Sequence, residues 1–129
     1  MAPSRSAFSY AVIRVVPDIE REEFLNSGLI LFSRPREFLG ARTDLDGSAL
    51  AMLRDGCDLD GIREQLAFIE DLAAGRMSDG PFAAMSQSER FHWLTTPRST
   101  VVQPGPLHAG VTDDPAETFE RLYRILVTR

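Results

Sequence analysis

The stretch FSYAVIRVV, residues 8–16, decides the fold that the sequence predicts. Successive side chains of a strand point to opposite faces, so Phe8, Tyr10, Val12, Arg14 and Val16 share one face and Ala11, Ile13 and Val15 share the other. Both faces are mostly apolar, which predicts a central strand. Pro17 ends it, because proline has no backbone N–H to donate to a sheet.

Apolar runs and turn residues predict the rest of a sheet around that strand. Two further strands are expected at residues 28–32 and 37–42, with the turn Ser-Arg-Pro-Arg between them, and the three strands would form an antiparallel meander. Residues 99–103 and 107–111 are also strand-like. The Pro-Gly-Pro segment between them predicts a stiff reversal and hence a second hairpin.

Helical periodicity and capping residues predict about four helices. A short helix is expected near residues 48–54, and residues 59–74 carry one apolar stripe followed by Gly75 at the C-cap. Ser86 and Glu89 form a capping box that begins a third helix, and Asp114 is expected to cap a fourth. The sequence therefore predicts an α+β domain of residues 1–129, in which helices cover an antiparallel sheet made of the meander and the second hairpin.

Composition limits the classes of function. The chain has 129 residues and a net charge of −5, and all 14 of its basic residues are arginines. An acidic domain lacks the basic surface that neutralises phosphates, so nonspecific nucleic-acid binding is disfavoured. No apolar run approaches the ~20 residues that span a bilayer, and residues 1–6 do not resemble an export signal. The lone Cys57 fits a reducing compartment, so we expect a cytoplasmic protein with no membrane segment.

Common catalytic and metal-binding patterns are weak or missing. His92 and His108 are sixteen residues apart without a third fixed ligand, so no metal site is predicted. The tetrapeptide Asp-Leu-Asp-Gly occurs at residues 44–47 and 58–61, but neither copy continues as a calcium loop, and both precede predicted helices that an aspartate would cap. Gly-rich phosphate loops are missing, and we predict no cofactor. Ser99 with His108 is the one nucleophile and base pair to consider, but no nucleophile-elbow glycines flank Ser99, so we predict no catalytic residue.

Arg14 is the most informative polar residue, because it lies in the predicted central strand. Burying a guanidinium costs several kcal/mol unless a carboxylate or a ligand pairs with it. One interpretation is an internal salt bridge to one of the 19 acidic residues. The other is a ligand pocket that Arg14 and Arg98 face together, with Asn26, Ser99, Gln103 and His108 around it. The sequence leaves both open.

Two blocks of sequence resemble a known family. The first is YAVIR at residues 10–14, followed by EFLNSG at 23–28 and Leu31-Phe32; the second is ERFHWL at 89–94 with Pro97-Arg98-Ser99, Gln103, His108 and Gly110. Over nearly its whole length the chain resembles the bacterial family called domain of unknown function 3037. The resemblance implies no activity, because none is established for the family. Members often occur beside genes for HipA-like kinases, which implies an accessory role toward a kinase-like protein partner.

Together these observations favour a non-catalytic cytosolic binding or interaction domain, with a kinase-like protein as its expected partner. The alternative is a small enzyme or sensor that binds a phosphorylated or carboxylated metabolite. In that case Arg14 and Arg98 would hold the anion, and His108 would act as an acid or base near neutral pH.

Overall fold

The protein is built on an antiparallel sheet whose strands come from both halves of the chain. A computed structural model describes residues 5–129. Residues 1–4 lie outside the described part, and they belong to the segment 1–6 that was compared with an export signal. The strands are β1 Ser6–Val15, β2 Leu25–Ser33, β3 Phe38–Thr43, β4 Val102–Pro104 and β5 His108–Thr112. The helices are α1 Gly47–Leu53, α2 Leu59–Ala74, α3 Gln87–Thr95 and α4 Pro115–Leu126, and 3-10 turns cover Ile19–Arg21 and Pro81–Ala84. The predicted α+β class is confirmed.

The meander is present as predicted, with β1 inside the sheet. Within the described residues the strand order is β3-β2-β1, and β4 and β5 occupy the far edge of β1. β2 begins earlier than the apolar run suggested, because a bulge at Ser27 lets Asn26 and Leu25 continue the pairing with β1. Asn26 thereby comes to lie opposite Arg14.

The second hairpin was predicted wrongly, because β4 and β5 pair with β1 and not with each other. β4 lies antiparallel to Ile13–Val15 of β1, and β5 lies antiparallel to its Ser6–Tyr10 half. Both segments therefore run in the same direction along one edge. Gly105 donates its backbone N–H to Val12 O at 2.7 Å, which keeps the chain on that edge. The Pro-Gly-Pro segment interrupts an edge strand and does not reverse it.

The helix ends follow the predicted capping chemistry. Asp46 and Asp58 cap α1 and α2 by accepting from the N–H groups of Ala49 and Gly61, so each Asp-Leu-Asp-Gly copy places one capping aspartate. Ser86 and Glu89 make the predicted capping box at α3. Asp114 caps α4. These contacts satisfy N–H groups that have no partner within the helix.

The core has two parts, one on each face of the sheet. On one face α1, α2 and α3 cover Ala11, Ile13 and Val15 of β1. On the other face Phe119 and Tyr123 of α4 pack against a cluster that includes Phe8, Leu29 and Leu31. α4 packs mainly on β2 and β3, so it leaves the Arg14 end of β1 less covered. Among the described residues, no helix has both the length and the apolar character needed to cross a bilayer.

Candidate functional site

Arg14 stands in a row of polar residues that crosses three strands. It lies opposite Asn26 of β2 and opposite Gln103 of β4. Directly opposed residues of antiparallel strands share a face, with Cβ atoms roughly 4.5–5.5 Å apart. The sheet therefore brings together three of the six predicted site residues, on the face that also carries α4.

The guanidinium of Arg14 is held between an aromatic ring and a glycine. Its Cζ atom lies 3.9 Å from the centroid of the Phe24 ring. On another side is Gly105, where a Cβ atom would stand only 3.0 Å from Nε of Arg14. Phe24 is 42% exposed, so this stack lies near the surface. The two contacts fix the orientation of the guanidinium before any ligand arrives.

Within residues 5–129 Arg14 has no acidic partner, which argues against the internal salt bridge. Ion pairs of the described residues join Arg21 to Glu23, Arg42 to Glu120, Arg54 to Asp18 and Arg76 to Asp71, and none of them includes Arg14. Nε of Arg14 is buried and has no hydrogen-bond partner within residues 5–129. The predicted internal salt bridge is therefore wrong.

Nε of Arg90 is also buried and has no hydrogen-bond partner among the described residues, but the rest of that side chain differs from Arg14. Nη1 of Arg90 donates to Met85 O at 2.8 Å, and its guanidinium packs beside Gly75. Arg90 thus connects the end of α2 to the start of α3. In the described part of the chain, the guanidinium of Arg14 has no hydrogen bond comparable to this one.

A cavity of about 480 Å³ opens beside Arg14, and we call it the Arg14 cavity. Its lining combines charged, polar and apolar groups: Arg14, Val16, Ile19, Glu22, Phe24, Ser99 and Gln103. Small-molecule sites commonly have volumes of roughly 300–1,000 Å³, with apolar walls and a few polar groups. The predicted residues Arg14, Ser99 and Gln103 share this cavity.

The other three predicted residues lie elsewhere or are already engaged. Asn26 donates from Nδ2 to Leu126 O at 3.1 Å and ties β2 to the end of α4. His108 is exposed and stacks on Tyr10, with ring centroids 5.1 Å apart. It lies in a different cross-strand row from Arg14, opposite Tyr10.

Arg98 does not share the Arg14 cavity, contrary to the expectation of a common pocket. Its Cζ atom lies 4.6 Å from the Trp93 ring centroid, and Nη2 donates to Trp93 O at 2.6 Å. It lines a separate cavity of about 450 Å³ beside Phe68 and Ile69 of α2.

Sequence reasoning missed Glu22, Phe24 and Gly105. The charged run of residues 18–23 is typical of a solvated connection between strands. In the structure, Ile19 and Glu22 of this connection line the Arg14 cavity. A glycine between two prolines was a visible signal, but it was assigned to a turn. The close approach of Gly105 to Arg14 depends on pairing between distant strands.

Potential metal ligands do not cluster within residues 5–129, where no group of three or more His, Cys, Asp or Glu side chains could hold an ion. His92 is exposed on α3. The half-buried Cys57 lies between α1 and α2, with its Sγ atom 3.5 Å from Arg54 O. The Arg14 cavity is the candidate site, because three of the predicted site residues line it.

Comparison with known proteins gives one match. A family model described as "Protein of unknown function (DUF3037)" matches residues 10–127, which include every residue that lines the Arg14 cavity. No curated protein and no solved structure matches the chain.

Proposed function

We propose that this chain, which belongs to the DUF3037 family of proteins of unknown function, is a binding domain that recognises a small anion through Arg14. The anion is a carboxylate or a phosphate group. One observation carries the proposal: the guanidinium of Arg14 lines an open cavity, fixed by Phe24 and Gly105, without an acidic partner among the described residues.

Free-energy considerations support a ligand at Arg14. A buried donor without an acceptor costs about 1–3 kcal/mol, and the cost is larger for charged groups. An anion in the cavity can accept hydrogen bonds from the terminal N–H groups of the guanidinium, because arginine presents its N–H groups in a planar fork that matches two oxygens at once. Because Phe24 and Gly105 already restrict the side chain, less conformational entropy is lost on binding.

The charge of the whole chain favours a small anion over a nucleic acid. At a net charge of −5 the protein repels extended polyanions at long range. A compact anion that enters the Arg14 cavity is stabilised mainly by short-range contacts. Ser99 and Gln103 line the same cavity. Ser99 offers its hydroxyl group to the remaining oxygens, and Nε2 of Gln103, which donates to Thr100 O at 2.7 Å, has one further N–H.

The lining of the cavity supports binding more than catalysis. Ser99 is its one hydroxyl group, and no histidine lines it. A nucleophilic serine needs a base within hydrogen-bond reach, whereas His108, the base considered from sequence, stacks on Tyr10. His108 is therefore not placed beside Ser99 as its base, and this supports a binding or sensing role.

Titration with simple anions tests the proposal. Isotope-labelled protein is titrated with sodium phosphate and with sodium acetate, and the backbone amides of Gln103 and Gly105 are followed by NMR. We expect both amides to shift saturably, and Arg14→Gln to raise Kd by about tenfold or more. Arg34→Gln is the matched control, because Arg34 is exposed in the turn after β2, at the opposite end of that strand from Asn26.

The outcome that overturns the proposal is equal binding by wild type and Arg14→Gln, or no saturable shift with either anion. If Arg14→Gln does not fold, Arg14→Lys replaces it. Lysine keeps the charge but cannot donate in a fork, so weaker binding by that variant supports the proposal and unchanged binding contradicts it.

A cytoplasmic location and a kinase-like partner complete the proposed function. The single cysteine supports the location, and fractionation of native cells tests it. The partner stays a prediction from the family resemblance. It predicts that a HipA-like kinase encoded beside the gene co-purifies with this protein, and that Arg14→Gln still co-purifies if the anion site is separate from the contact surface.

A further inference from the structure

The Arg14 cavity contains an acidic residue as well as an arginine. Glu22 lines it together with Arg14, yet the two side chains form no ion pair, so their charged atoms are more than 4.0 Å apart. Within residues 5–129 no ion pair includes Glu22. The cavity is thus lined by one positively and one negatively charged residue whose charged atoms are not in contact.

The charged residues next to Glu22 in the chain are paired with other residues. Arg21 and Glu23, on either side of it, pair with each other, and Asp18 pairs with Arg54. Glu22 itself ends the 3-10 turn Ile19–Arg21 with a φ of 58°. A positive φ is uncommon for a residue other than glycine. This backbone conformation is adopted where the side chain of residue 22 joins the rim of the cavity.

The rest of the lining is apolar. Val16 is buried, while Ile19 is 48% exposed and Phe24 is 42% exposed. Large apolar side chains at the rim of a cavity gain free energy when a ligand covers them, at roughly 25 cal/mol per Å² of apolar surface removed from water. The lining therefore complements a ligand with three parts: an anionic group, a cationic group and an apolar group.

We propose that the ligand of the Arg14 cavity is a zwitterion with an apolar side chain, of the class of the free α-amino acids. Arg14 binds the carboxylate, Glu22 binds the ammonium group, and Ile19 and Phe24 contact the side chain. This inference rests on the proposed function, since it specifies which anion the site selects. A phosphate dianion is a poorer fit, because Glu22 repels it without any ammonium group to compensate.

Calorimetric titration with three related compounds tests the inference. L-leucine carries both charges, isocaproate lacks the ammonium group, and isoamylamine lacks the carboxylate. L-phenylalanine and hydrocinnamate repeat the comparison with a larger side chain. For wild type we expect at least one amino acid to bind about tenfold more tightly than the carboxylate that lacks its amine, because the ammonium adds a charge-assisted hydrogen bond. We expect isoamylamine to bind most weakly.

Variants assign that difference to Glu22. Glu22→Gln should remove the advantage of the amino acid and leave the affinity for the simple carboxylate unchanged or higher. Glu20→Gln is the matched control: Glu20 is exposed in the same 3-10 turn and does not line the cavity. It should behave as wild type.

The outcomes separate this inference from the proposed function. If the simple carboxylates or inorganic phosphate bind as tightly as the amino acids, and Arg14→Gln abolishes that binding, the zwitterion is wrong and the anion site stands. The same conclusion follows if Glu22→Gln keeps the full advantage of the amino acid. If no compound binds in an Arg14-dependent way, both proposals fail.

Discussion

Gly105 packs so closely against Arg14 that a Cβ atom at residue 105 would stand 3.0 Å from Nε and 3.1 Å from Cζ. The same atom would lie 3.3 Å from Val12 O. The guanidinium is the flexible end of its side chain, so it can move away where the backbone cannot. Gly105 therefore controls the position of Arg14 from the edge of the sheet.

Gly105→Ala should weaken anion binding and leave the protein folded. The added methyl group pushes the guanidinium away from its place beside Phe24, and we expect Kd for phosphate to rise about three- to tenfold while the free energy of unfolding falls by about 1 kcal/mol. NMR titration and urea denaturation measure the two effects. Ala109→Gly is the control, because Ala109 is exposed on β5 and the change removes one methyl group without touching the site. Gly56→Ala is unsuitable, because Gly56 has a positive φ. Unchanged phosphate affinity in Gly105→Ala would contradict the role of this contact.

Arg98→Gln should leave anion binding in the Arg14 cavity unchanged. Arg98 lines the other cavity, where it stacks on Trp93 and donates to Trp93 O. Losing these contacts should lower the free energy of unfolding by about 1–2 kcal/mol. Thermal unfolding and the phosphate titration test the two parts. A tenfold loss of phosphate affinity would show that the two arginines act on one ligand after all.

Asp114→Ala should destabilise α4 and the core that this helix covers. The Asp114 carboxylate accepts from the N–H groups of Ala116 and Glu117 at 3.1 and 3.2 Å. Removing such a cap typically costs about 0.5–2 kcal/mol. Asp113→Ala is the matched control, because Asp113 is exposed and is not the capping residue. Urea denaturation followed by circular dichroism should show a lower midpoint for Asp114→Ala alone, and equal midpoints for the two variants would contradict the capping role.

Glu120 predicts a specific pH dependence of stability. Hydrogen bonds from Arg42, one of them 2.9 Å long between Nη1 and Oε2, hold the pKa of Glu120 below its usual value. A carboxyl group whose pKa is lowered by folding stabilises the folded state above its unfolded pKa, and this contribution is lost as the pH falls through the folded pKa. Wild type should therefore have a higher Tm than Glu120→Gln at neutral pH, and the two values should converge in acid.

The convergence for Glu120 is measured by thermal unfolding of both proteins over a series of acidic buffers. The pair is largely exposed, so we expect a small Tm difference that salt reduces further. Glu64→Gln is the control, since Glu64 is exposed on α2 and belongs to none of the ion pairs found among the described residues. A Tm difference that grows as the pH falls would contradict the assignment.

Local patterns in the sequence were enough to predict most of the elements. The apolar stripe of α2, the capping box at Ser86 and the cap at Asp114 involve residues only a few positions apart, and the structure confirms them. Alternation in residues 8–16 likewise placed Arg14 on a strand, with Ala11, Ile13 and Val15 on its other face. Such short-range preferences act before distant parts of the chain meet, so they can be recognised in the sequence.

Tertiary structure alone decided which residues share the cavity. Whether residues 102–112 pair with themselves or with β1 depends on contacts roughly 90 residues apart in the chain, and such pairing has no local signature. That pairing placed Gly105 and Gln103 beside Arg14. The sequence predicts that a guanidinium in a central strand needs a partner. Only the tertiary structure shows how Phe24, Glu22 and the edge strand surround this guanidinium, and that no acidic residue among residues 5–129 forms an ion pair with it.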